Sequence, residues 1–177
     1  VYWPTMLMSA GIELPKSIFA HGWWLMEDSK MSKSLGNVIN PMDLIDKYGV
    51  DPVRYYLMRE MVVGQDANFT LESFIQRYNS DLANDFGNLL SRVTTLIYKN
   101  YSGEIPDPGK LFDQELSIKH KSEHLQSIVK TLIDNMKINE AIEQIMQFIR
   151  HVNRYMELNA PWKEVKENKS EAGRVLY

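Results

Sequence analysis

From Thr70 to Tyr101 apolar side chains recur at steps of three and four, through Ile75, Tyr78, Leu82, Phe86, Leu89, Val93, Leu96 and Ile97. That spacing lays one continuous stripe along a helix of 3.6 residues per turn and does not suit a strand, whose side chains alternate. Thr70 supplies the N-cap hydroxyl. The stripe stops at a loop over 102–109 that holds Gly103, Pro106, Pro108 and Gly109. Two more helical patterns follow, at about 114–136 and 140–158, with Asn139 placed to cap the second. Asn159-Ala160-Pro161 then turns the chain into a last helix. Helices of this length with short connections bury their stripes by packing antiparallel, so the second part of the chain is expected to be a helical bundle.

The first 65 residues have another character. Ser17 to Leu25 is apolar and aromatic between Pro15 and the polar Glu27-Asp28-Ser29 turn, and reads as a buried strand running into a loop, with Trp23 and Trp24 in the core. Asn40-Pro41 starts a helix with the cap residue and the proline in their preferred order. Met42, Leu44, Ile45 and Tyr48 form its apolar face, and Gly49 ends it. Asp51-Pro52 opens a second helix to about Arg59. The pattern changes near Gly64 to Phe69. The expected organisation is a mixed α/β region over 1–65 followed by an all-helical region over 66–177, mainly α overall.

Composition narrows the function classes. With no cysteine among 177 residues, disulfides and thiolate metal sites are excluded, and no metal site is expected. No apolar run approaches the roughly 20 residues of a membrane span, and nothing resembles a secretion signal, so a cytoplasmic protein with no membrane partner is expected. A net charge of −3 argues against holding nucleic acid on a broad basic sheet. An RNA partner would need local cations and stacking rings instead. Val1 in place of an initiator Met, and the apolar Val175-Leu176-Tyr177, make both ends look like cuts, the second inside a helix.

Lys30-Met31-Ser32-Lys33-Ser34 is the chemically richest stretch. Two ammonium groups and two hydroxyls in five residues offer converging donors to a polyphosphate, and each Lys is a compact, rotatable point charge. A solvated basic turn is the alternative for such a short string. Leu35-Gly36-Asn37 follows directly, and Gly36 and Asn37 read as loop-forming residues.

The KMSKS string, together with His21-Gly22-Trp23-Trp24, Tyr48 to Leu57, Gly64-Gln65-Asp66, Asp81 to Asp85, Gly87 to Arg92 and Asn159 to Lys163, resembles the methionyl-tRNA synthetases, a family of class I aminoacyl-tRNA synthetases. The likeness covers nearly the whole chain. It implies that residues 1–65 are the end of a class I nucleotide-binding domain and that residues 66–177 are an anticodon-binding domain truncated at its C-terminus. The substrates implied are ATP with Mg2+, L-methionine and tRNA(Met). By this resemblance Lys30 and Lys33 act on the β,γ-phosphates as charge builds up there, Met31, Ser32 and Ser34 belong to the same ATP site, and His21 contacts the nucleotide or merely the loop. Trp3 lines the methionine pocket or packs in the core. Asn88 and Arg92, four apart and so on one helix face, read anticodon bases from the polar side shared with Asp81, Asn84, Asp85 and Thr95. Trp162, carried by Asn159 and Pro161, stacks under a base or is buried between helices. The family's HIGH-type motif and its cysteine-bearing zinc insertion have no counterpart in these residues, so the 177-residue chain by itself is expected not to activate methionine. Two further readings remain open: a class I synthetase for leucine, isoleucine, valine or cysteine, and a non-catalytic tRNA-binding module.

Overall fold

The computed structural model describes residues 1–26, 29–31 and 39–177, with 29 and 30 described through the backbone alone. Helix α1 (Tyr2–Ser9) comes first and buries none of its side chains. Strand β1 (Trp24–Met26) pairs antiparallel with β2 (Ser29–Lys30), Leu25 opposite Lys30, and parallel with β3 (Ala67–Asn68), Trp24 opposite Ala67. Helices α2 (Pro41–Tyr48) and α3 (Val50–Glu60) lie between the strands in sequence. The Asn40 side chain accepts a hydrogen bond from the Met42 amide at 3.1 Å, as an N-cap should, and Gly49 breaks the helix at φ 88°. Helix α3 starts at Val50, just before the expected Asp51-Pro52. Proline is tolerated there because first-turn amides have no partner within the helix.

The expected strand over Ser17 to Leu25 shrinks to its last residues. Ile18 is 79% exposed and Phe19 53%, and the ladder begins only at Trp24. Apolar composition makes a strand only where a neighbour pairs with it, and among the described residues β3 reaches no further back than Trp24. The two adjacent tryptophans therefore part company: Trp24 packs on the core, whereas Trp23 is 57% exposed.

The first core gathers Val53, Tyr56, Phe69 and Phe74, with Trp24, Met31, Ile39, Leu44, Ile45 and Tyr48 against them. Its rings meet mostly edge-on or tilted, Tyr48–Phe74 at 5.0 Å and Tyr56–Phe69 at 5.3 Å between centroids. Such pairs each add about 0.5–1.5 kcal/mol beyond the area they bury. Phe69 and Phe74 come from beyond residue 65, so packing is continuous across that boundary. Gly22 and Gln65 meet backbone to backbone: a Cβ at Gly22 would lie inside the Gln65 carbonyl. Beside this contact the Trp23 amide donates to Asp66 Oδ1 at 2.7 Å and the Ala67 amide to the Trp23 carbonyl at 2.9 Å.

Thr70 caps α4 (Leu71–Arg77), accepting from the Ser73 amide at 3.0 Å. The long helix expected from Thr70 is continuous in space but not regular. Residues Tyr78–Gly87 wind as a π-helix before α5 (Asn88–Asn100) resumes the α form. The wider π turn shifts the angular phase, and the expected single stripe divides. Leu89, Val93, Leu96 and Ile97 pack onto a second core of Tyr155, Met156, Val175 and Leu176, while Phe86 is left 48% exposed. Ahead of the π segment the buried ring is Phe74 rather than Ile75.

Helix α6 (Asp113–Asp134) and helix α7 (Ile138–Asn159) pack on each other, and α7 also touches α3 and the π segment. The residue preceding α7 is Lys137, and Asn139 falls inside the helix instead of capping it. The expected last helix is two short ones, α8 (Pro161–Glu167) and α9 (Lys169–Leu176), separated by Asn168, which caps α9 by accepting from the Glu171 amide. Glu115 ties three helices together: it accepts from the Phe112 amide at the start of α6, from the Tyr155 hydroxyl, and faces Arg174 at 3.5 Å. Among the described residues no helix is long and apolar enough to cross a membrane.

Candidate functional site

The Asn159-Ala160-Pro161 turn shapes the centre of the site. Ala160 sits at φ 39°, a left-handed conformation that costs a non-glycine residue on the order of 1–2 kcal/mol. The following proline disfavours the ordinary helical alternative. This turn starts α8 at a fixed angle to α7 and sets half-buried Trp162 beside α5. There the Arg92 guanidinium lies 4.6 Å from the centroid of the Trp162 ring. A planar cation over an indole is the most favourable form of such a contact, at roughly 0.5–2 kcal/mol. The outer side of Arg92 faces Glu157 at 3.8 Å.

Asn88, one turn earlier, is exposed and opens with Arg92 onto a cleft of about 530 Å³ between α5, the π segment and α7. Asn84, Asp85, Arg150, Asn153, Arg154 and Glu157 complete its walls. Every lining side chain is polar, which suits the edges of nucleobases better than an apolar ligand. The π segment supplies Asn84 and Asp85 to one wall, and Asn153 of α7 donates to the Asp85 carbonyl at 2.8 Å. Arg150 braces the same wall through Asp85 at 3.6 Å and Glu143 at 2.7 Å.

The expected site residues thus divide. Asn88, Arg92 and Trp162 come together, although 70 residues separate Arg92 from Trp162 in sequence (162 − 92 = 70). Asn159 is half-buried and donates to the Tyr155 carbonyl at 2.9 Å. Pro161 is fully buried, so it sets the start of α8 and offers no surface to a base. Asp81 does not join the polar face expected of it. It is 3% exposed and accepts from Tyr55 and Ser80, with Arg59 and Arg77 at 3.5 and 3.7 Å. The sequence reading missed Arg150, Asn153 and Arg154. Their signal was the helical register of α7, which puts 150, 153, 154 and 157 on one face.

At the other end of the chain, Lys30 stands in β2 with its backbone paired to Leu25. Met31, inside the KMSKS string, packs on the first core, and so does Ile39 beyond it, so the two are anchored on the same aromatic cluster. Ser32, Lys33 and Ser34, like Gly36 and Asn37, lie outside the described residues. His21 lies outside the strand expected over Ser17 to Leu25. It precedes β1 in an exposed stretch, with Nδ1 2.7 Å from the Gly22 carbonyl. A carbonyl only accepts, so Nδ1 carries the proton in this contact. Trp3 is 75% exposed on α1, which rules out core packing within the described residues. No group of three or more His, Cys, Asp or Glu among the described residues could hold a metal ion.

A family model described as tRNA synthetases class I (M) matches residues 1–94, more than half of the chain. The chain belongs to that family. It is 43% identical over 178 residues to the methionine–tRNA ligase of Thermotoga maritima and 42% identical over 180 residues to that of Bacillus subtilis. In both cases the whole chain is covered, against 28% and 27% of the relative. The chain therefore spans a little over a quarter of the length of the curated relatives it matches. Among solved structures it is similar to Mycobacterium tuberculosis methionyl-tRNA synthetase in complex with methionyl-adenylate, with a TM-score of 0.94, 38% identity, the whole chain covered and 36% of that protein. The apo form of the same enzyme gives a TM-score of 0.89 at 35% identity. The mainly helical fold of this chain is thus similar to those structures over its whole length.

Proposed function

We propose that this chain is the part of a methionine–tRNA ligase that supplies the KMSKS loop and reads the anticodon. On this reading residues 1–65 are the tail of an α/β nucleotide-binding domain, and residues 66–177 are an antiparallel bundle that receives tRNA(Met). The parent protein activates L-methionine with ATP and Mg2+ in the cytoplasm. The observation that carries the reading is Arg92, which stacks on Trp162 and lines, with Asn88, an all-polar cleft. An indole already half-exposed can pass one face to an unpaired base, an interaction of roughly 1–3 kcal/mol. The amide of Asn88 and the guanidinium of Arg92 supply donors, and the amide an acceptor, for base edges.

The chemical half of the reading concerns Lys30 and Lys33. Attack of the methionine carboxylate on the α-phosphorus expels pyrophosphate, and negative charge grows on the β,γ-oxygens as the bond breaks. Ammonium groups that meet those oxygens late stabilise the transition state more than bound ATP, which lowers the barrier. Ser32 and Ser34 add hydroxyl donors, and the His21 imidazole is the further candidate contact to the nucleotide. Met31, half-buried in the core, anchors the loop. Trp3 contributes a ring to the methionine pocket, where a thioether packs well on an aromatic edge.

The test uses the full-length protein. Lys33→Ala is expected to slow methionine-dependent ATP–pyrophosphate exchange by about 10²–10³-fold with tRNA affinity unchanged. Trp162→Ala is expected to leave exchange intact and to weaken charging of tRNA(Met). Unchanged exchange in Lys33→Ala would leave only a tRNA-binding module.

A further inference from the structure

The polar cleft does not end at Arg92. Arg154, on its wall, also lines the neighbouring groove between α6 and α7, together with His151. His151 in turn lines the next groove along, together with Lys121 of α6. Three depressions therefore share one ridge, whose polar side chains are Arg154, His151 and Lys121. Lys121 Nζ lies 3.3 Å from His151 Nε2, and since an ammonium only donates, the imidazole is the acceptor. Among the described residues neither Lys121 nor Arg154 is paired with a carboxylate, whereas Arg150, one turn before Arg154, is held by both Asp85 and Glu143. The acids near the ridge are Asp113 beside Arg154 in the groove, and Glu157 and the Arg150-paired Asp85 in the cleft.

We propose that this ridge is a phosphate track: Lys121 and Arg154 hold the sugar–phosphate backbone of the RNA whose bases enter the Asn88–Arg92 cleft, and His151 positions the Lys121 ammonium. The inference rests on the tRNA reading of the cleft and adds a second, sequence-independent contact to it. Backbone contacts fix where a nucleic acid lies, and base contacts decide which one is kept. An acidic chain cannot supply those backbone contacts by net charge, so it needs cations concentrated beside the base-reading surface. Arg150 would have to give up two carboxylates to serve. Lys121 and Arg154 give up none. Burial, with the nearby Lys121 and Arg154 charges, holds His151 below the ordinary histidine value, which agrees with an uncompensated positive field along the ridge.

The experiment measures anisotropy of a labelled RNA hairpin bound to the full-length protein between about 50 and 200 mM salt, where counterion release is read most clearly. One hairpin carries the methionine anticodon CAU, and the other has its loop replaced by uridines. For the double variant Lys121→Gln/Arg154→Gln, affinity is expected to fall roughly tenfold for both hairpins. The slope of log affinity against log salt should drop by about 1.5–2, close to one per cation removed. Lys121→Arg/Arg154→Lys keeps the charges and should retain wild-type affinity and slope. Trp162→Ala should lose only the preference for CAU. A double Gln variant with unchanged slope overturns the phosphate track, even where Trp162→Ala abolishes CAU preference and so upholds the cleft reading. A charge-conserving variant as weak as the Gln pair overturns it too, because the ridge would then be structural. Wild-type protein that binds both loops equally sinks the anticodon reading, and the salt slope still decides the ridge.

Discussion

Tyr55 donates its phenolic hydrogen to Asp81 across 2.7 Å, joining α3 to the π segment that walls the polar cleft. Arg59 stands 3.5 Å from the same carboxylate and also pairs with Glu143 of α7, while Arg77 bridges Asp81 and Glu60. A carboxylate only 3% exposed is tolerated because several donors surround it. Removing it leaves a phenol and two guanidinium groups without their acceptor. Asp81→Ala is therefore expected to cost about 3–5 kcal/mol of unfolding free energy in urea. Tyr55→Phe, which takes away one donor and strands nothing charged, should cost about 1–2 kcal/mol. Equal costs for the two would show that the arginines find other partners.

Alkaline pH should loosen the fold through two phenols. Burial, with the Asp81 hydrogen bond and charge, raises Tyr55 well above its ordinary value of 10.0, and burial with the Glu115 hydrogen bond and charge does the same to Tyr155. A raised folded value means that the unfolded chain releases its proton first. The contribution is fully present below the unfolded value and is lost as pH rises through the window above about pH 10. Unfolding free energy should fall across that window, and Tyr55→Phe or Tyr155→Phe should each flatten the fall by up to about 1.4 kcal/mol per pH unit, one proton's worth. An alkaline limb unchanged in both variants would exclude these groups as its source.

The parts of the structure that follow local rules were legible in the sequence. Asn40, Gly49 and Thr70 cap or break helices where their side chains and backbone freedom direct, and the Leu89 to Ile97 stripe finds a core as its spacing requires. The meeting of Asn88, Arg92 and Trp162 was readable through family resemblance rather than through spacing. The π segment was not legible, because its irregular winding is stabilised by long-range bonds such as Asn153 to the Asp85 carbonyl, which no local window contains. The same holds for Asp81. Its neighbours in sequence are polar, and only the arrival of Tyr55 and Arg59 from α3 makes its burial tolerable. For Ser17 to His21, apolar composition promised a buried strand, but burial depends on a partner surface, and among the described residues contact begins only at Gly22, against Gln65.

Gly22 tests how closely the strand region is coupled to the Gly64-Gln65-Asp66 turn. Its Cα sits against the Gln65 carbonyl so tightly that even a methyl group has no room, and the obstacle is backbone, not a side chain able to swing aside. Gly22→Ala must push the turn away from β1, straining the Trp23 amide to Asp66 bond and the β1–β3 pairing. The expected loss is about 1–3 kcal/mol, typical of overpacking. Gly64→Ala is the control. Its φ of 90° gives it a conformational strain, but a Cβ there meets nothing within 4 Å, so its cost carries no steric part. A substitution at Gly22 that leaves thermal unfolding unchanged would mean that the two segments separate freely.

Arg92→Lys separates shape from charge at the cleft. Lysine keeps the cation and its attraction to Glu157, but it lacks the planar group that lies over Trp162 at 4.6 Å. If the guanidinium holds the indole ready for a base, then Arg92→Lys should lower affinity for a CAU hairpin while the salt slope stays near wild type, since the charge count is preserved. Trp162→Ala should do the same, and the two changes together should cost less than the sum of their separate costs. The coupling is expected at about 0.5–2 kcal/mol, the range for a cation–π contact between interacting neighbours. Strict additivity would mean that Arg92 meets the RNA independently of the ring. A reduced salt slope in Arg92→Lys would mean that residue 92 works mainly against phosphate, and base discrimination would then fall to Asn88 and the π-segment wall.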